Sequence, residues 1–187
     1  MKLYILASTA LFLFSAPAAA SISSATVATH GGGFASACYA AAAARQATSD
    51  NIFLCDRALA AQRLSDFDVM ATHVNRGILR MLRGDQAAAV ADFDTAIGMN
   101  PSHPEAWLNK GVVTFDRGDS GSASQLAQKA LDLGTRKPAL AYYIRGFADE
   151  DRGKTSAAYS NFRRAAELAP SWSLPREELK RYRVVSR

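Results

Sequence analysis

Few side chains in this sequence are of types that do chemistry, and their spacing does not assemble a reaction centre. The histidines are His30, His73 and His103, and none has another metal ligand four residues away or a nucleophile beside it. Two ligands one helical turn apart are the usual beginning of a histidine metal site, because residues i and i+4 share one helix face. We therefore expect structural roles for all three histidines and no metal site.

Three further groups resemble fragments of catalytic sites. The serines within 120–124 lie in a polar helix start without an elbow motif or a base, and the acidic run 149–151 precedes a turn, as solvated helix ends do. The segment "HGGGF" at 30–34 is similar to an oxyanion-hole loop but lacks the strand–turn–helix nucleophile that such a loop serves. The sequence predicts no catalytic residue, no cofactor and no small-molecule substrate, so we expect a protein that is not an enzyme.

The N-terminus has the features of a secretory signal peptide. Residues 1–20 contain one basic residue, a twelve-residue apolar stretch from Leu3 to Phe14, and small residues that end at Ala20. This pattern predicts cleavage after Ala20, because a short apolar core followed by small residues is typical of exported proteins. The alternative, a membrane anchor, requires about 20 apolar residues. We expect an exported protein with no transmembrane segment.

The two cysteines, Cys38 and Cys55, predict a disulfide. In an exported protein an even pair of cysteines at close spacing is usually oxidised. A metal site is the alternative, but no histidine is near either cysteine, and the paired C-x-x-C spacing of zinc sites is absent.

The elements that hold these side chains come from a phrase that the chain repeats three times. It reads "NRGILRMLRGD" at 75–85, "NKGVVTFDRGD" at 109–119 and "IRGFADEDRGK" at 144–154, at spacings of 34 and 35 residues. Alanine, leucine and arginine dominate and no sustained strand alternation occurs, so we predict helices throughout. The positions that recur in phase are Gly77, Gly111 and Gly146; Gly84, Gly118 and Gly153; and Ala89, Ala123 and Ala158.

Residues 70–170 resemble the tetratricopeptide repeat (TPR) family, whose helix–turn–helix unit of about 34 residues has this order of glycine, alanine, aromatic residue and proline. The resemblance implies an all-α fold, an α-solenoid of tandem TPR repeats in a right-handed superhelix with a C-terminal capping helix. The implied organisation is a signal peptide at 1–20, a flexible leader at 21–34, a degenerate helical hairpin with the disulfide at 35–66, three TPR units within 67–170 (about 70–103, 104–138 and 139–172), and a capping helix with a basic tail at 173–187.

Elementary geometry explains the recurring small residues. The first glycine of each phrase and the recurring alanine lie where two antiparallel helices cross, and a larger side chain would push apart axes that normally lie about 8–10 Å apart. The second glycine ends the first helix, because glycine adopts the left-handed backbone conformation freely. Asp85, Asp119 and Thr155 are expected to cap the second helices. One extra residue near 133–138 predicts looser packing between copies two and three.

The same arrangement places the cysteines opposite each other. Matching Ala58 to Ala96 puts Cys38 and Cys55 at facing positions of a hairpin whose turn lies midway between them. A disulfide that closes a loop of this size stabilises the fold by about 3 kcal/mol.

The resemblance also implies a binding surface, because the first helices of stacked TPR units line a concave groove. In related proteins an asparagine at the place of Asn75 and Asn109 hydrogen-bonds the backbone of an extended peptide, since its amide both donates and accepts. Alternatively, part of this surface faces water or is covered by the C-terminal helix. The candidate groove residues are Asn75, Asn109, Ile78, Val112, Phe115, Tyr143 and Phe147.

These features predict a non-catalytic interaction module that binds a protein or peptide partner in the groove. The signal peptide and the disulfide favour the periplasm, as in the small periplasmic TPR proteins that the chain resembles. The net charge of +5 is mild and its charges are interspersed, so no nucleic-acid partner is expected. The alternative is a scaffolding subunit that uses its convex face and its basic tail on an acidic partner or anionic lipid. The basic residues of the tail are Arg176, Lys180, Arg181, Arg183 and Arg187.

Overall fold

A computed structural model describes residues 3–7, 24–30, 32–61 and 63–186. Within these ranges the chain forms a row of paired helices and one short β-ribbon. The helices are α1 (Phe34–Ala43), α2 (Ser49–Ala61), α3 (Asp66–Leu82), α4 (Gln86–Met99), α5 (Pro104–Asp116), α6 (Ser120–Asp132), α7 (Pro138–Asp151), α8 (Thr155–Leu168) and α9 (Leu174–Leu179), and the strands are β1 (Leu3–Ala7) and β2 (Tyr182–Ser186).

The helices pack from neighbour to neighbour along the row. The most extensive contacts join α3 to α4, α5 to α6 and α7 to α8, while α1 and α2 both pack on α3 and α9 packs on α8. Because each pair buries its apolar face against the next, the helices form the all-α solenoid that the repeat predicts. Within this chain the junction between copies two and three is not the looser one, since α6 packs more extensively on α7 than α4 does on α5.

Glycine and phenylalanine fit together where the paired helices cross. A Cβ atom on Gly77 would lie 2.6 Å from the ring of Phe93, and one on Gly146 would lie 2.5 Å from the ring of Phe162. Both rings are fully buried, so they cannot move aside without cost. The middle copy has Ala127 in place of the phenylalanine, and the crossing there is less tight.

The helix ends follow the predicted pattern with one exception. Gly84, Gly118 and Gly153 have positive φ angles of 85°, 85° and 67°, which allow the chain to leave the first helix of each pair. Asp85 and Asp119 cap the next helices by accepting hydrogen bonds from the Ala88 and Ser122 amides. The predicted cap at Thr155 is wrong. The capping position is Lys154, which has no side-chain acceptor, and Thr155 is already the first residue of α8.

The hairpin of α1 and α2 contains the disulfide at its centre. The sulfur atoms of Cys38 and Cys55 lie 2.06 Å apart, and both residues are 0% exposed. The bond joins two helices that alone have a core made largely of alanine. The pairing predicted from the hairpin register is confirmed.

The two ends of the described chain meet in the β-ribbon. β1 pairs with β2 in antiparallel fashion, from Leu3 opposite Ser186 to Ala7 opposite Tyr182. The structure differs here from the capping helix expected over 173–187, because α9 ends at Leu179 and the chain beyond Arg181 is extended. The sequence "YRVV" that begins β2 contains aromatic and β-branched residues, which favour strands.

β1 lies within the predicted signal peptide. The other residues of that peptide, including the cleavage point after Ala20, lie outside the described residues. Among the described residues, no helix combines the length and apolar character that crossing a bilayer requires.

A cluster of buried charges joins α3 to α4. The carboxylate of Asp92 is 2% exposed and accepts hydrogen bonds from Arg76 (2.6 Å), Arg80 (2.8 Å) and the His73 ring (2.9 Å). Burial alone would raise the pKa of Asp92, but the bonds from His73 and Arg76 and the charges of both arginines outweigh it and hold this pKa below its usual value. The cluster gives His73 the structural role expected from the sequence.

We expect Gly77→Ala to destabilise the fold by about 2 kcal/mol, because the new methyl group overlaps a buried ring. Gly111→Ala is the matched control. Its Cβ would lie 3.3 Å from that of Leu126, and the gain in helix propensity of about 1 kcal/mol offsets the crowding. Urea unfolding followed by circular dichroism measures both, and equal losses would contradict the glycine–phenylalanine account.

We expect Asp92→Asn to cost about 3 kcal/mol at neutral pH, because it removes the buried anion from two largely buried arginines and leaves them only the half-exposed Asp56. The folded-state pKa of Asp92 lies below the unfolded one, so the stability it contributes is present above about pH 4 and is lost as the pH falls further. The difference in the free energy of unfolding between wild type and variant therefore becomes smaller in acid. Asp94→Asn on the same helix is the control, because Asp94 makes an exposed pair with Lys110 and is expected to cost under about 1 kcal/mol.

A candidate peptide-binding groove

A segment of the chain's own leader lies in the concave groove. Residues 24–29 have no regular secondary structure and cross the inner faces of α3 and α5, and His30 follows them. The composition of the leader predicts flexibility. The structure instead ties this segment down by hydrogen bonds to residues between 38 and 110 positions away along the chain.

Asn75 on α3 and Asn109 on α5 bind the leader through its backbone. The amide of Asn75 accepts a hydrogen bond from the Val27 N–H (3.0 Å) and donates one to the Val27 carbonyl (2.7 Å). Asn109 makes the same pair with Ala25, at 3.1 and 2.9 Å. Both asparagines are 0% exposed, so each clamp satisfies a side chain that would otherwise be buried without partners. A contact of this type recognises an extended backbone and not a particular side chain.

The side chains of the leader alternate between the groove and the solvent side. Ala25 and Val27 are 3% and 2% exposed and belong to the same buried cluster as Ile78 and Val112. Ala28, in contrast, is exposed. Such alternation is the property of an extended strand, in which successive side chains point to opposite faces. The groove therefore takes the side chains of Ala25 and Val27, while Ala28 points to solvent.

Arg136, which the sequence analysis did not single out, holds the middle of the leader. Its guanidinium donates to the carbonyl of Thr26 (2.8 Å). Buried Glu105 fixes the arginine by accepting from its backbone N–H (3.0 Å) and from its side chain (3.3 Å). The one available signal was the extra residue in the connection before α7, which puts a basic side chain at the mouth of the groove.

Asp68 holds the other end of the segment. Asp68 is 5% exposed, and its carboxylate accepts a hydrogen bond from the His30 N–H (2.7 Å). Ser65 donates to the second carboxylate oxygen (2.9 Å) while its own oxygen caps α3. The Ser-x-x-Asp spacing is the sequence sign of a helix start. This spacing does not show that the Asp68 carboxylate also accepts a hydrogen bond from the leader.

The remaining predicted groove residues lie in an aromatic cluster on the side of copy three. Tyr143 and Phe147 are 4% and 7% exposed, and Phe115 stacks against Phe147 with ring centroids 5.2 Å apart. Trp172 covers Tyr143 at 4.8 Å. Burial, with a contribution from the charge of Glu178, raises the pKa of Tyr143, so the phenol stays protonated. The structure thus separates these three residues from the leader contacts of Asn75 and Asn109.

The structure describes His103 and Ser120, two residues that the sequence analysis considered for chemistry. Burial lowers the pKa of His103 in spite of the nearby Glu105 carboxylate, which raises it. Ser120 donates a hydrogen bond to Asp151. In the part of the chain that the structure describes, no three histidine, cysteine or acidic side chains form a group that could hold a metal ion.

Solved structures with the same architecture are similar to this chain. The first TPR domain of Spaghetti (RPAP3) bound to the HSP90 peptide SRMEEVD has a TM-score of 0.55 and 22% identity, and the match covers 59% of this chain and 87% of that one. The fold of the present chain is a TPR-like solenoid. Two structures of MamA have TM-scores of 0.59 and 0.60 at 19% and 18% identity, with 74% and 78% of this chain and 80% and 79% of theirs covered. No protein-family model and no curated protein sequence matches the chain.

We expect Asn75→Ala combined with Asn109→Ala to release the leader. Each substitution removes two hydrogen bonds worth about 1 kcal/mol apiece, so amide protection at Ala25 and Val27 should fall by about tenfold or more. Hydrogen exchange measured by mass spectrometry reports this directly. Asn161→Ala is the control, because Asn161 is also buried, at 8% exposed, but donates its hydrogen bond to Asp149 on α7 and not to the leader. Unchanged exchange in the double variant would show that the clamps do not hold the segment.

Proposed function

We propose that this protein is a non-catalytic interaction module whose concave groove binds an extended segment of a partner protein. The observation that carries the proposal is the pair of clamps at Asn75 and Asn109, which already hold one extended segment by its backbone. A TPR domain of similar structure has a bound peptide, which supports the same use of the groove here.

The chemistry of the groove suits a polypeptide ligand better than a small molecule. Each clamp pairs with the N–H and the carbonyl of a single residue, and the two clamped residues are separated by one. Only a chain in the extended conformation offers these groups at that spacing. The buried side chains of the two clamped residues, Ala25 and Val27, then select among extended chains.

We further propose that the protein acts outside the cytoplasm, in the periplasm of a Gram-negative bacterium. The signal-peptide pattern of residues 1–20 and the disulfide of Cys38 and Cys55 support this location. The partner would then be another protein of the cell envelope.

The scaffolding alternative relies on the convex face and the basic tail, and the contacts of the tail weaken it. Lys180 pairs with Glu177 at 2.7 Å, and Arg181 pairs with Glu150 at 2.8 Å and with Glu178 at 2.5 Å. These basic groups already have acidic partners within the chain. They therefore offer less net charge to an acidic surface than the sequence suggests.

A capture experiment tests the groove proposal. The bait is the purified, disulfide-intact chain with Val27→Asp, which places a charge at a position that is 2% exposed and so empties the groove. We expect it to retain an envelope protein that the same bait with Asn75→Ala and Asn109→Ala retains at least about tenfold less, since four backbone hydrogen bonds are lost.

Salt separates the two functions. Capture through the uncharged clamps should weaken less between about 50 mM and about 500 mM salt than capture by the tail, which should weaken steeply. Ala28→Asp is the control bait, because it adds the same charge at an exposed position. Equal capture by the baits with and without the asparagines would refute the groove proposal.

A further inference from the structure

We propose that the leader is a built-in, weak occupant of the groove and that its contacts define the partner segment that replaces it. Each position of the partner segment is given the number of the leader residue that it replaces. The segment has a small residue at 25, an acidic residue at 26, a β-branched aliphatic residue at 27 and an apolar residue at 29. This inference rests on the proposed function and specifies its ligand.

The two clamped positions set the size of the inward side chains. Ala25 is 3% exposed and Val27 is 2% exposed, and both are enclosed in the cluster that includes Ile78, Val112 and Leu108. A side chain larger than alanine at the first position would press on the residues of this cluster, because protein interiors are close-packed. Valine at the second position matches the extended backbone that the clamp requires, since β-branched residues favour this conformation.

Position 26 is adjacent to positive charge, and the leader offers that charge a backbone carbonyl but no acidic side chain. Thr26 lines a cavity of about 260 Å³ whose other walls include Arg45, Arg136 and Lys137. Arg136 already pairs with Glu105 at 3.3 Å, and among the described residues the side chains that line the cavity include no carboxylate. A carboxylate in place of the threonine hydroxyl would lie next to three basic residues and bind more tightly.

Position 29 shows a mismatch of the opposite kind. The hydroxyl of Thr29 is buried and has no hydrogen-bond partner, and burying such a group without a partner costs free energy. Valine has the same shape without the hydroxyl, so a segment with valine here avoids that cost. The leader is therefore a poorer ligand than its own groove allows at two positions.

Attachment to the same chain makes this weak occupant effective. Three glycines at 31–33 connect the leader to α1, and a short covalent connection gives the leader an effective concentration of about millimolar. A free segment must outcompete that concentration. An external ligand with no improvement over the leader sequence would therefore bind only weakly.

Peptide binding to the purified chain tests the inference. The probes are fluorescent peptides with the leader sequence SATVATH, and with that sequence changed at the positions of Thr26→Glu and Thr29→Val. The chain with Val27→Asp should bind the changed peptide about tenfold tighter than it binds the leader peptide. It should also bind the changed peptide about tenfold or more tighter than the unmodified chain does. A Thr26→Gln peptide separates the effect of charge from that of size. Any gain in its affinity over the leader peptide should not depend on salt.

Ala28→Asp is again the control, and it should behave as the unmodified chain does. Equal binding of the two peptides would overturn the assigned pattern, and equal binding by the unmodified chain and Val27→Asp would overturn the role of the leader as a competitor. If Val27→Asp does not fold, a protease site inserted between Gly31 and Gly32 frees the leader by cleavage. The changed peptide should then displace the cut leader at about one tenth of the concentration that the leader peptide requires.

The outcome separates this inference from the proposed function. Failure of the Val27→Asp chain to bind either peptide, while it still captures an envelope protein through Asn75 and Asn109, overturns the segment pattern alone. Loss of the asparagine-dependent capture overturns the proposed function itself.

Discussion

The groove depends on one constraint, which is that a buried amide must find partners. Asn75 and Asn109 are completely enclosed, and the helices on which they lie have already paired their own backbone groups. Whatever chain fills the groove has to supply one N–H and one carbonyl to each asparagine, in an extended conformation. An empty groove would expose these amides and the apolar side chains around them to water. The constraint thus favours continuous occupation by one segment or another.

The sequence predicts the architecture well because each copy repeats the same packing solution. Gly77 and Gly146 face phenylalanine rings, and where Phe gives way to Ala127 the requirement for glycine at Gly111 relaxes. Phase across three copies is strong information, because a solenoid repeats its contacts with the period of its sequence. The cysteine pair followed from the same register. Thr155 was misplaced as a cap by one residue, because the position in register, 35 residues beyond Asp119, is Lys154.

The site was only half predictable. Asn75 and Asn109 occur at equivalent places of two copies, so a repeat analysis finds them. Ser24–His30 belongs to no repeat, and its composition of small and hydroxyl-bearing residues is the same in a mobile linker and in a docked strand. Only the groove decides between the two. Arg136 and the aromatic cover over Tyr143 also arise outside the repeats, from a connection and from the C-terminal segment, where no periodic pattern exists.

The leader is synthesised before the helices but docks on them after they form. Its contacts reach 48, 84 and 110 residues along the chain, whereas those of the solenoid join neighbouring helices. Helices that contact only their neighbours form early, and contacts across a long stretch of chain form late. The residues that leave the ribosome ahead of the helices are therefore the last to be put in place, and heat should undo them before any helix melts.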